Sequence, residues 1–136
     1  MGSEPDINDI SSNSCSTARA ECLNCHGQFL AIRPLLTGIV VTRQFSKDFR
    51  SPQEAEANVA AIMECSNVDF YEMHKLEANI DGNLIFRAKR EGVHMVYAVD
   101  KQLRVVFLRA FRNYSEYGKF LEDKQEIKKM IIYDSS

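Results

Sequence analysis

A chain of 136 residues, 45% hydrophobic and 26% charged with no tryptophan, has the size and composition of one small globular domain with a modest core. No apolar run approaches the roughly 20 residues a helix needs to cross a bilayer, and a net charge of −2 argues against an indiscriminately basic nucleic-acid binder. The opening MGSEPDINDISSNS has neither the basic nor the apolar part of a secretory signal, so a cytoplasmic setting with reduced thiols is the expectation.

In chain order, residues 1 to 14 are too polar to order themselves and read as a disordered tail. A short helix fits residues 16 to 24, and Gly27 and Pro34 interrupt any longer one. Residues 1–38 are therefore expected to be an extension, disordered or partly helical, ahead of a domain over residues 39–136. Ile39, Val40 and Val41 predict a strand ending near Phe45. Ser51, Pro52 and Glu54 form the capping box of an amphipathic helix with Val59, Ile62 and Met63 as its buried stripe. SNVDFYEMHKLEA has no clear period. A turn at Asp81-Gly82 or Gly82-Asn83 then opens three strands, roughly 84 to 90, 93 to 99 and 103 to 110. Their short connections, Glu91-Gly92 and Asp100-Lys101-Gln102, make an antiparallel meander. SEYGKFLEDKQEIKKMIIY closes the chain as a helix, with Gly118 as the place where it could break. The fold class expected is α+β, an antiparallel sheet packed against helices.

Charge is focused within this pattern. Residues 85 to 112 carry seven Lys or Arg against two acids, Glu91 and Asp100, and a local excess of one sign is the footprint of an anionic partner. Strand alternation puts Ile85, Arg87 and Lys89 on one face and Leu84, Phe86 and Ala88 on the other. In the next strand Val93, Met95, Tyr97 and Val99 form the bulkier, core-facing set, so His94 is expected to point outward, toward the cations. Solvent-facing strand cations also protect sheets from aggregation. That bland reading accounts poorly for one sign of charge on adjacent strands, where like charges repel. Tyr114 and Tyr117 follow Arg112 and are packing residues or site residues on sequence grounds.

This order of elements resembles the RelE/ParE superfamily of bacterial and archaeal type II toxins over residues 39 to 131. VVTRQFSKDF is similar to the family's first strand leading into a helix, HKLEANIDGNLIFRAKREGVHMVYAVD to its meander, and VVFLRAFRNYSEYGKFL to its last strand and C-terminal helix. The resemblance implies a small twisted sheet packed on two N-terminal helices. It also implies a ribonuclease that cuts messenger RNA on the ribosome until a cognate antitoxin binds, with a homodimer as a further possibility. Carried over residue by residue, it assigns catalysis to His94, Arg112 and Tyr117 and RNA binding to Arg87, Lys89, Arg90 and Tyr114. His94 falls where many members have Arg, and Tyr114 is the other match to the family's C-terminal Tyr. The same superfamily includes inhibitors of DNA gyrase, and a non-catalytic protein-binding member is a further alternative. RNA cleavage by the 2′-hydroxyl needs a base, an acid and cations for the phosphorane; His94 can serve as the acid or the base, and Arg87, Lys89 and Arg112 can hold phosphates.

Cys22-Leu23-Asn24-Cys25-His26 matches the spacing of c-type haem attachment, which requires export. Cys15, Cys22 and Cys25 could hold zinc with His26, Cys65 or His74 as a fourth ligand, but a second CxxC pair is missing. No cofactor and no metal is expected.

Overall fold

The computed structural model describes residue 29, residues 31–64 and residues 74–134. The expected tail, the helix at 16 to 24, Cys15, Cys22, Cys25, His26 and Cys65 lie outside the described residues.

A 3-10 turn at Arg33–Leu35 leads into strand β1, Gly38–Val41. Helix α1, Arg43–Lys47, starts at once because Thr42 is extended and its side chain accepts from Phe45 N at 3.1 Å. Helix α2, Pro52–Glu64, begins as the sequence indicates. Ser51 Oγ accepts from Glu54 N at 3.2 Å, while the Glu54 carboxylate reaches back to Arg50 N at 2.9 Å, one residue before the cap itself. Its fully buried residues are Ala55, Asn58 and Ile62; Val59 and Met63 are half-buried.

Four strands follow: β2, Lys75–Ile80; β3, Asn83–Arg90; β4, Val93–Val99; and β5, Arg104–Phe111. Asp81-Gly82 and Glu91-Gly92 both have positive φ at both positions, the mirror-image two-residue turn whose twist matches the strands it joins. The sheet order is β1-β5-β4-β3-β2. It differs from the expected antiparallel sheet in that β1 pairs parallel with β5, Ile39 opposite Val105 and Val41 opposite Phe107. No hairpin joins these two strands, so nothing in the chain forces them to run in opposite directions. Strand β2 was also not expected. Its register shifts between Leu76 and Ala78, and a bulge at Glu77 erases the period of two that marks a strand.

β4 is the central strand, and every one of its residues is buried. Both sheet faces are therefore covered. On one side Leu84, Phe86, Met95, Tyr97, Val105 and Phe107 pack under Phe29, Phe45, Phe49 and Ile62. On the other, Ile85, Val96, Ala98, Val106, Leu108 and Phe111 pack under helices α3, Tyr114–Glu122, and α4, Lys124–Lys129, through Tyr117, Phe120 and Ile127. The break between these two helices falls at Asp123, whose side chain caps α4 by accepting from Glu126 N at 3.1 Å, and not at Gly118. A π-helical turn, Met130–Asp134, ends the described chain. The architecture is thus α+β, a five-stranded mixed sheet between N-terminal and C-terminal helices.

His74 is fully buried, stacked on Phe29 at 3.8 Å, with Nδ1 2.6 Å from Tyr97 Oη. The layers are joined at Asp48. Its carboxylate accepts from Arg109 Nε at 2.8 Å, Arg109 Nη2 at 3.3 Å and Ala110 N at 2.9 Å, which ties the end of α1 to β5. Replacing it by Asn removes the charge and leaves the partly buried Arg109 without its counter-ion. Asp48→Asn is expected to destabilise the fold by about 2–4 kcal/mol in urea unfolding, whereas Glu56→Gln, at an exposed position, should cost less than about 0.5 kcal/mol.

Candidate functional site

Most arginines of the sheet are held by acids, several of them contributed from outside the charged segment. Arg109 binds Asp48, and Arg104 Nη2 lies 2.8 Å from Asp100. Arg87 Nε is 3.4 Å from Glu77 Oε2, an ion pair without the alignment of a hydrogen bond. Arg112 donates to the Asp48 carbonyl at 2.9 Å and approaches Glu54 at 3.9 Å. Arg90 reaches across to α2, donating to Asn58 Oδ1 at 2.9 Å. Like charges on neighbouring strands are tolerable because most have an acid of their own. Lys89 is exposed and engages no acid among the described residues.

Of the residues singled out in the sequence, the fold brings together Arg87, His94, Tyr114 and Tyr117. Strand parity gives His94 the face shared with Arg87 and Lys89, as expected, and Lys89 is its partner in the β3–β4 register. That face is not open to solvent. The start of α3 covers it, so His94 is only 7% exposed. Its ring stacks on Tyr117 at 4.9 Å and meets Tyr114 edge-on at 5.5 Å. The expectation of an outward histidine is corrected on this point, because strand alternation fixes the side of the sheet but not what later packs there. Tyr114 is 69% exposed. The α3 cap that sets both tyrosines in place is Asn113, accepting from Glu116 N at 3.1 Å.

Arg90 and Arg112 do not join this cluster. Arg90 has the opposite strand parity and lies against α2, while Arg112, past the end of β5, turns toward α1 and sits over the Phe49 ring at 5.8 Å.

Glu77 is the member that sequence reasoning missed. The bulge in β2 turns its carboxylate toward the cluster, where Tyr117 Oη donates to Oε2 at 2.9 Å and the Arg87 guanidinium lies 5.7 Å from the Tyr117 ring. The sequence signals it only as an acid in a segment with no period, and its half-burial is visible in the structure alone. The group is then a carboxylate, a guanidinium, an imidazole and two phenols where β2, β3 and β4 meet α3. Among the described residues no cluster of His, Cys, Asp or Glu has the makings of a metal site. No helix among them is long and apolar enough to cross a membrane. No family model, curated protein or solved structure matches the chain.

Burial, and then the Glu77 carboxylate, push the Tyr117 phenol well above its ordinary value of 10.0. It stays protonated at any working pH and acts as a donor that fixes Glu77, not as a proton-transfer group. Above about pH 10 the unfolded chain ionises this phenol and the folded chain does not, so the unfolded state binds fewer protons and stability falls as pH rises. Unfolding free energies from urea titrations between about pH 9 and 11 should decline more steeply in the parent than in Tyr117→Phe, the difference approaching about 1.4 kcal/mol per pH unit at the alkaline end.

Proposed function

We propose that the chain is a RelE-like toxin acting as an endoribonuclease on messenger RNA, with His94 and Glu77 as its proton-transfer pair. The observation that carries this reading is the convergence of Glu77, Arg87 and His94 beneath two tyrosines at one place on the sheet. In the proposed reaction the Glu77 carboxylate takes the proton of an RNA 2′-hydroxyl as its oxygen forms the new bond to phosphorus. The bond from phosphorus to the 5′-oxygen breaks, and His94 protonates that leaving oxygen. The products are a 2′,3′-cyclic phosphate and a 5′-hydroxyl. Arg87 and Lys89 offset the charge of the pentavalent state, Arg87 most strongly because it is pre-placed where water is largely excluded and Lys89 from the exposed rim. Tyr117 holds the base, and the exposed Tyr114 offers a ring face to a nucleobase. Entry of a phosphate to His94 requires the first turn of α3 to yield. The resemblance extends the proposal to messenger RNA on the ribosome as substrate and a cognate antitoxin as inhibitor.

A second reading has its own support. The burial of His94 favours a non-catalytic member of the same type that only binds a protein.

Labelled RNA incubated with the purified protein, with and without translating ribosomes, distinguishes the two. Cleavage leaving cyclic-phosphate ends is expected, and His94→Gln and Glu77→Gln should each slow it by about 10²–10⁴-fold. Intact RNA under both conditions leaves the protein-binding reading.

A further inference from the structure

Whereas acids answer most of the sheet's cations, those of α1 and the turn after it have no such partners among the described residues. Arg43 and Lys47 stand one helical turn apart on the face turned away from the buried Phe45, and Arg50 follows in the bend three residues beyond the helix. All three are exposed, and no carboxylate among the described residues pairs with any of their side chains. The nearby acids are committed elsewhere, Asp48 to Arg109 and Glu54 to Arg112 and to the Arg50 amide. Among the described residues three cations are thus left without an acid partner, in a chain whose overall charge is −2.

Arg112 connects the row to the end of the sheet where the site lies. Arg112, half-exposed, donates to the carbonyl of Asp48, the residue between Lys47 and the turn that carries Arg50. Its neighbour Phe111 is the strand partner of His94, which in turn pairs with Lys89. Arg112 thus stands at the end of the sheet between α1, which packs on one face, and His94, which lies on the other.

We infer that the Arg43, Lys47 and Arg50 face, joined to the site through Arg112, is a track for the phosphate backbone of single-stranded RNA leading to His94. This rests on the ribonuclease reading and adds that the substrate is gripped several nucleotides from the bond that breaks. Guanidinium and ammonium donors suit phosphate oxygens. An acidic protein segment is the less favoured ligand because the exposed apolar residues nearby, Ile39 and Val41, lie with Val59 and Met63 along the other flank of α1, at Ser46.

The test uses the full chain carrying His94→Gln, so that RNA is bound and not consumed. Binding of a 12-nucleotide and a 3-nucleotide oligouridine is titrated at several salt concentrations. Replacing Arg43, Lys47 and Arg50 together by Glu should weaken the longer RNA by at least about tenfold and flatten its salt dependence by about two units of slope, close to 0.7 for each of three contacts. Affinity for the shorter RNA should be unchanged, which also reports that the fold and the site survive; the triple Gln variant should show the same pattern more weakly. If the triple variant keeps the parent's affinity and slope for the longer RNA while Lys89→Ala weakens both lengths, the track is refuted and the ribonuclease reading stands. A parent that binds neither RNA refutes both and leaves α1 as the rim of a protein contact.

Discussion

Burial of the central strand on both faces governs the rest of the molecule. All seven residues of β4 are out of solvent, and neither face of the strand could be left to water without exposing several large apolar side chains at about 1.5–3 kcal/mol each. Helices must therefore cover the sheet on both sides. The N-terminal pair closes over Tyr97 and Phe107, and α3 and α4 close over Val96 and Leu108. A strand cation can then no longer extend freely from an open face. It reaches an edge or a strand end, or finds an acid, and Arg87 with Glu77 and Arg109 with Asp48 take the last course.

The same constraint shapes the candidate site. Packing α3 against the second face brings Tyr117 onto His94 and into contact with Glu77, and the low polarizability of that setting keeps the phenol protonated. A group assembled this way is preorganised by the core itself, which favours reactions that depend on placed charges. It is also screened by its own helix. Access and preorganisation are in tension at Tyr114, the exposed ring that borders His94.

Strong local chemistry was legible in the sequence. Strands β3, β4 and β5 appear within a residue of their expected bounds, because hydrophobic runs bounded by Asp-Gly and Glu-Gly turns have few other solutions. The α2 cap was legible for the same reason. What could not be read depended on distant packing or broken periods. The bulge at Glu77 concealed β2, and with it the carboxylate of the site. The parallel pairing of β1 joins segments more than sixty residues apart. Alternation placed His94 on the correct side of the sheet but carried no information about the helix that would bury it. The clustered positive charge had a partly structural explanation, since Asp48, Glu54 and Glu77 lie outside the segment that holds the cations.

The sheet's arginines are ion-paired parts of the framework, while Arg43 on α1 and Arg50 just beyond it have no acid partner among the described residues. Hydrogen exchange at the arginine Nε–H groups, followed by NMR, tests it most directly. Slow exchange is predicted at Arg109 and Arg104, whose Nε donates to Asp48 and Asp100 at 2.8 Å in each case, with exchange near that of free arginine at Arg43 and Arg50. Equal, fast exchange at all four would contradict the account.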